Sequence, residues 1–87
     1  MVTTPMAIEK QRLWLDFPAH LVTKPIVYQL VKRFDLVPNI RQASVASDSG
    51  VMSLEVEGER KAIQEAIAWL EETGVKVEPV EINVIEG

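Results

Sequence analysis

Two short stretches of this chain carry residues suited to binding a small charged molecule. Asn39-Ile40 opens a predicted strand, and Pro25, fourteen residues earlier, lies in the first turn of a predicted helix. A helix start offers unpaired backbone N–H groups and a partial positive charge, which suit a carboxylate. The side-chain amide of Asn39 can both donate and accept hydrogen bonds. We therefore expect the helix start and Asn39 to lie side by side as a cradle for a zwitterion. The alternative for Asn39 is a turn residue that tolerates left-handed backbone geometry.

The other polar residues form no pattern typical of catalysis or of metal binding. His20 is the only histidine and the chain has no cysteine, which argues against His-based and thiolate metal sites, iron–sulfur clusters and cysteine nucleophiles. The sequence motifs of phosphate-binding loops and of serine-hydrolase elbows do not occur. Glu71-Glu72 and the acidic stretch 57–59 have Lys or Arg nearby, as solvated surfaces do. We expect a binding protein and not an enzyme, with no catalytic residues, no cofactor and no metal.

The composition is typical of one small globular domain. The 87 residues are 47% hydrophobic and 25% charged, with a formal net charge of −4, which argues against disorder. No run of Lys or Arg forms a basic stripe, so nucleic-acid binding is not expected. No apolar stretch has the length of a membrane span or a signal peptide, and the default location is the cytoplasm. Small cores are often supplemented by self-association.

The hydrophobic pattern predicts six elements in the order βαββαβ. Gln11–Phe17 alternates as a half-buried strand does, and Pro18 ends it. A helix is predicted to begin at Thr23-Lys24-Pro25, with Thr23 as N-cap, and to end near Asp35. The later elements are strands over 39–47 and 51–57, a helix opening at Gly58 and closing at Gly74, and a strand over 75–84. Pro79 interrupts that last strand, which predicts an edge position or a kink.

The second predicted strand has an irregular alternation. Ala43 and Val45 share one face, and Ile40 breaks their parity. This predicts a β-bulge near Arg41-Gln42. Asp48-Ser49-Gly50 then predicts the hairpin turn into the third strand.

The element order is typical of the ferredoxin-like α+β sandwich, a four-stranded antiparallel sheet with two helices on one face. We expect residues 1–9 to form a flexible tail and residues 10–84 to form the single domain. The other face of the sheet then meets water or another chain, and Trp14, Ser44, Val51 and Ser53 are predicted to lie on it. An exposed tryptophan there indicates a contact surface, most simply a homodimer. Alternatively, the tail or the segment 80–84 covers Trp14.

Several of these stretches together resemble the NIL domain, the C-terminal regulatory domain of methionine-import ABC-transporter ATPases. The family is named after an Asn-Ile-Leu motif at the start of the second strand, which here reads Asn39-Ile40-Arg41. Arg41 replaces the motif's leucine, so that residue either alters one wall of the pocket or points into solvent. The resemblance spans about residues 12–80 and includes the stretches Val37-Pro38, Lys24-Pro25-Ile26-Val27, Ala66-Ile67-Ala68-Trp69-Leu70 and Gly74-Val75-Lys76-Val77-Glu78.

The resemblance implies a ferredoxin-like homodimer that binds methionine near the subunit interface. The family positions that contact the amino acid correspond to the start of the first helix and the Asn-Ile pair, namely Val22, Thr23, Lys24, Pro25, Ile26, Val27, Asn39 and Ile40. The resemblance also implies a transporter or a redox protein as partner, because NIL domains occur joined to ABC ATPases and to 4Fe–4S modules. This chain holds neither an ATPase nor a cysteine for a cluster.

These observations predict a small regulatory domain that senses an amino acid such as methionine at a homodimer interface. The alternative is a non-catalytic interaction module that docks on a transporter or redox protein through its open sheet face or its Pro79-bearing edge. A further alternative is a piece of a larger polypeptide.

Overall fold

Alternating apolar residues build a sheet with one covered face. In the computed structural model, which describes residues 8–80, the strands are β1 (Ile8–Pro18), β2 (Val37–Val45), β3 (Ser49–Glu59) and β4 (Lys76–Val80). The helices are α1 (Ile26–Phe34) and α2 (Arg60–Thr73), and a short 3-10 turn spans Ala19–Leu21. The sheet order is β2-β3-β1-β4 with every neighbouring pair antiparallel. The predicted ferredoxin-like α+β fold is confirmed.

The core lies between the helices and the two central strands. Leu13 and Leu15 of β1 are fully buried and stand opposite Leu54 and Met52 of β3. Both helices contribute the apolar stripe that their spacing predicts. The buried members of the two stripes are Ile26 and Leu30 on α1 and Ile63, Ala66 and Leu70 on α2. Neither of these helices is long and apolar enough to cross a membrane.

The first strand begins earlier than the alternation predicts. Ile8 and Glu9, expected to belong to the flexible tail, pair with Glu59 and Gly58 of β3. The Glu9 carboxylate also accepts a hydrogen bond of 3.0 Å from Nε of Arg60. These contacts extend β1 to Ile8. Residues 1–7 of the predicted tail and residues 81–84 of the predicted last strand lie outside the described residues.

The helix ends show which capping predictions hold. Thr23 is not the N-cap of α1: that position is Pro25, and no side chain caps the helix start. The Ile26 N–H instead donates to the Lys24 carbonyl at 2.8 Å, so a tight backbone turn leads into the helix. The predicted cap at Gly74 is confirmed, because this residue has φ of 114° and its N–H donates to the Leu70 carbonyl. Glycine adopts that left-handed geometry without steric cost.

The two edge strands also follow the local sequence. The register of β2 against β3 shifts between Ile40 and Gln42, which confirms the predicted bulge. Pro79 lies in β4 at the sheet edge, as predicted. The hairpin turn differs from the prediction: the chain reverses between Val45 and Ser49, and Gly50 already belongs to β3. The Ala46 N–H donates to the Ser49 carbonyl at 2.8 Å and closes that turn.

Replacing Gly58 tests how tightly the link between α1 and β2 packs on the sheet. A Cβ atom at Gly58 would overlap Cδ2 of the buried Leu36. We expect Gly58→Ala to lower the free energy of unfolding by about 1–3 kcal/mol through overpacking, measured by urea denaturation. Gly50→Ala is the matched control, since its Cβ would lie 3.8 Å from the nearest side chains. Equal losses for the two variants would contradict this account.

Candidate functional site: an apolar cavity beside the edge strand

An apolar cavity lies where the start of α1 meets the sheet. Its volume is about 80 Å³, and its helix-side wall contains four of the predicted ligand contacts, Val22, Lys24, Ile26 and Val27. The sheet side of the wall is formed by Phe17, Val45, Gly50, Val51 and Met52. Lys24 is the one charged residue of this lining, so the cavity offers an apolar interior with a single cation.

The chain forms this cavity because it turns sharply after β1. The 3-10 turn Ala19–Leu21 buries Leu21, and the Lys24 N–H donates to the Leu21 carbonyl at 3.1 Å. Val22 is thereby held against the end of β1. Thr23 and Pro25, also predicted as ligand contacts, flank the cavity in sequence but are not part of its wall.

Asn39 lies at the opposite end of β2 from this cavity. It stands opposite Glu55, whereas Val45 of the cavity wall stands opposite Gly50. Asn39 lies six positions before Val45 along the strand, which is roughly 15–20 Å at about 3.3 Å per residue. The expectation that Asn39 adjoins the start of α1 is therefore not met within one chain. The reason is the direction of β2, which begins just after α1 ends and runs back toward the start of the helix.

The two motif residues also point to different faces of the sheet. Ile40 stands opposite the buried Leu54, on the helix-covered side that contains the cavity. Asn39 stands opposite Glu55, on the open face. The bulge adds one residue between Ile40 and Gln42, so the side chains of Val45 and Ile40 lie on the same face of the sheet. Of the two motif residues, only Ile40 is on the side of the sheet where the cavity lies.

Strand β2 is an unprotected sheet edge. All nine of its residues are exposed, including Val37, Ile40 and Val45 at 62%, 53% and 65%. Its single charged residue is Arg41. Long apolar edges with free backbone groups are templates for pairing with another strand. Each of the two edge strands contains a proline, Pro38 in β2 and Pro79 in β4, and within the described residues β2 is the longer of the two.

The open face of the sheet carries the four residues predicted for it. Trp14 pairs with Ser53, and Ser44 pairs with Val51, which places all four side chains on the side of the sheet away from the helices. Trp14 is 37% exposed, whereas Ser53 is 8% exposed. Ser53 lies between Trp14 on one neighbouring strand and Gln42 on the other. Trp14 is thus the apolar part of this surface, and Ser53 contributes little exposed area.

An ion cluster that sequence reasoning missed also lies on the open face. The Glu55 side chain is 12% exposed and its Oε1 lies 3.4 Å from Nη2 of Arg12 and 3.7 Å from Nη1 of Arg41. The cluster joins the three strands β1, β3 and β2. Arg41, the departure from the motif, points to Glu55 and does not line the cavity. The outward positions and opposite charges of Arg12 and Glu55 were the available signal, but only the register pairs them.

Comparison with known sequences identifies the family to which the chain belongs. The profile of the NIL domain matches residues 11–79. The chain belongs to the NIL domain family. One curated relative, the methionine import ATP-binding protein MetN of Coxiella burnetii, is 34% identical over 70 residues. The MetN protein of Escherichia coli strain K12 is 37% identical over 70 residues. In both cases the match covers 76% of this chain and 20% of the relative, so this NIL domain spans about a fifth of the relatives' length.

A solved structure shares the fold. The C-terminal domain of an ABC transporter ATP-binding protein from Enterococcus faecalis superposes with a TM-score of 0.71. The alignment has 22% sequence identity and covers 80% of this chain and 82% of that domain. At this identity the likeness shows the architecture alone.

Removing the charge of Glu55 tests the ion cluster. Glu55→Gln leaves two guanidinium groups without their shared carboxylate on a half-buried surface, and we expect a loss of about 1–2 kcal/mol in the free energy of unfolding. Urea denaturation measures the loss. Glu57→Gln is the control, because Glu57 lies on the same strand face and forms no ion pair within the described residues. Indistinguishable stabilities of the two variants would show that the cluster contributes nothing.

Proposed function

We propose that this NIL domain is a non-catalytic regulatory domain that senses an amino acid such as methionine at a homodimer interface. The observation that carries the proposal is the position of the cavity, whose wall includes Val45 at the end of the exposed edge strand β2. A chain that paired along β2 would lie directly beside the cavity. Ligand binding and dimer formation would then depend on the same surface.

One copy alone provides too small a site. The cavity measures about 80 Å³, against roughly 300–1,000 Å³ for typical pockets that enclose a small molecule. On the β2 side its wall ends at Val45, which is 65% exposed. A second chain at that edge would add the missing wall and exclude water from the ligand.

Antiparallel pairing of two β2 strands about a two-fold axis supplies this wall. Such pairing brings the start of one strand to the end of the other. Ile40 of the second copy would then approach Val45 of the first, with its side chain on the face that contains the cavity. Asn39 of the second copy would arrive beside it on the open face. Residues predicted as one site would in this way come from two chains.

The energetics favour this edge. Pairing would bury Val37, Ile40 and Val45 from each copy, and burial of apolar area contributes about 25 cal/mol per Å². Each Arg41 would enter the interface with its charge partly offset by Glu55 of its own chain, which Arg12 shares. A ligand that binds only the pair stabilises it by mass action, by about 2.7 kcal/mol at a hundred times its Kd.

The relatives suggest methionine as the first ligand to test and a transporter as the first protein partner. Both relatives are methionine import ATP-binding proteins. A second function, docking on a transporter or a redox protein through the open face, is favoured by the exposed Trp14 at the centre of that face.

Ligand titration tests the sensor proposal. We expect methionine to raise the melting temperature of the full chain, and we expect Ile40→Ala to weaken methionine binding at least fivefold because Ile40 forms the added wall. Asn39→Ala is the matched variant, and its effect should stay below about twofold because its side chain lies on the open face. Isothermal calorimetry measures both. Unchanged melting with methionine, or a larger loss for Asn39→Ala, would contradict the proposal.

The oligomeric state tests the interface separately. The native chain should sediment as a dimer, and Ile40→Lys should sediment as a monomer because it places an unpaired charge on the shared edge. Tyr28→Lys is the control, since Tyr28 is equally exposed but lies on α1. If Trp14→Lys separates the copies and Ile40→Lys does not, the open face is the interface and the β2 arrangement is wrong.

A further inference from the structure

The residues that line the cavity carry a single charge, and it is positive. Of its nine lining residues, eight carry no charge and the ninth is Lys24. The stretch 19–27, which supplies the helix side of the wall, contains Lys24 and no acidic residue. The described wall thus offers one cation and no anion to a ligand.

The two acidic residues of β3 that stand opposite β2, Glu55 and Glu57, both lie on the open face. Glu55 points to the open face and is shared by Arg12 and Arg41. The cavity lies on the other face, so the Glu55 carboxylate is not available to a ligand there. A ligand carboxylate gains an attraction to Lys24, whereas a ligand ammonium would lose hydration in an apolar site and gain no counter-charge from the nine residues that line it.

We infer that the cavity recognises apolar monocarboxylates by tail and carboxylate, without using an α-ammonium group. The 2-oxo or desamino counterpart of an apolar amino acid should therefore bind as well as the amino acid itself. This inference rests on the proposed ligand function of the cavity and specifies the chemical class that it accepts.

Gly50 sets the space for the apolar tail. A Cβ atom added there would lie 3.8 Å from each of Phe17, Val22 and Val45, all three of which line the cavity. These are ordinary contact distances, so a methyl group fits without strain and takes up space between the walls. Gly50→Ala should weaken long unbranched tails more than short ones while the fold stays intact.

Calorimetry on the full chain with four probes tests the inference. The probes share one thioether tail: methionine, 4-(methylthio)-2-oxobutanoate, 4-(methylthio)butanoate and 3-(methylthio)propylamine. We expect the three carboxylates to bind within about threefold of one another and the amine to bind at least tenfold more weakly. Lys24→Gln should weaken all three carboxylates, whereas the control Lys32→Gln, on the same helix region but outside the wall, should weaken none.

The outcomes separate this inference from the function on which it rests. Methionine binding more than tenfold tighter than 4-(methylthio)butanoate overturns the inference and leaves the sensor proposal standing. Absence of binding by all four probes overturns both. Asp48 in the hairpin and Asp35 before β2 are the acidic residues closest in sequence to the two ends of that strand. If Asp35→Asn or Asp48→Asn weakens methionine but not the desamino acid, an ammonium partner exists and the inference is wrong.

Discussion

A two-residue connection between α1 and β2 determines which residues of this domain can meet. Asp35 adopts the left-handed conformation, with φ of 56° and ψ of 50°, and reverses the chain directly after the helix. Leu36 then packs into the core over Gly58. Strand β2 must therefore begin beside the end of α1 and run back toward the helix start. Any binding site that uses both the helix start and the beginning of β2 has to draw them from two chains.

The same constraint gives the exposed edge its significance. Strand β2 leaves the core region at Leu36 and stays exposed along its whole length, with apolar side chains on both faces. It ends at Val45, which is also a wall of the cavity. Under the proposed pairing, a cavity wall that ends at this edge would link ligand affinity to self-association, because Val45 would serve both.

Local patterns predicted the fold well and the site only in part. The break in the alternation of β2 was enough to locate the bulge at Arg41. Gly74 caps α2 in the left-handed conformation, and Pro79 lies in an edge strand, as their conformational preferences predict. The predicted position of Asn39 beside the start of α1 was wrong because alternation assigns a residue to a face of the sheet but not to an end of it. The rule for a helix that connects two parallel strands gives the direction of the second strand and therefore the end at which Asn39 lies. Two features needed three-dimensional register: the pairing of Glu55 with two arginines, and the wall residues that β3 adds to the cavity.

The electrostatics of β2 explain why this chain can carry arginine at the third position of the Asn-Ile-Leu motif. The bulge turns Arg41 out of the alternation that places Ile40 and Val45 on the side of the cavity. Its guanidinium instead reaches Glu55 on the open face, where Arg12 shares the carboxylate. The substitution therefore adds a charge to the sheet edge without adding one to the cavity wall. Because Glu55 is shared with Arg12, it offsets only part of the Arg41 charge, and this charge lies on the open face, away from the side of the sheet where Ile40 and Val45 lie.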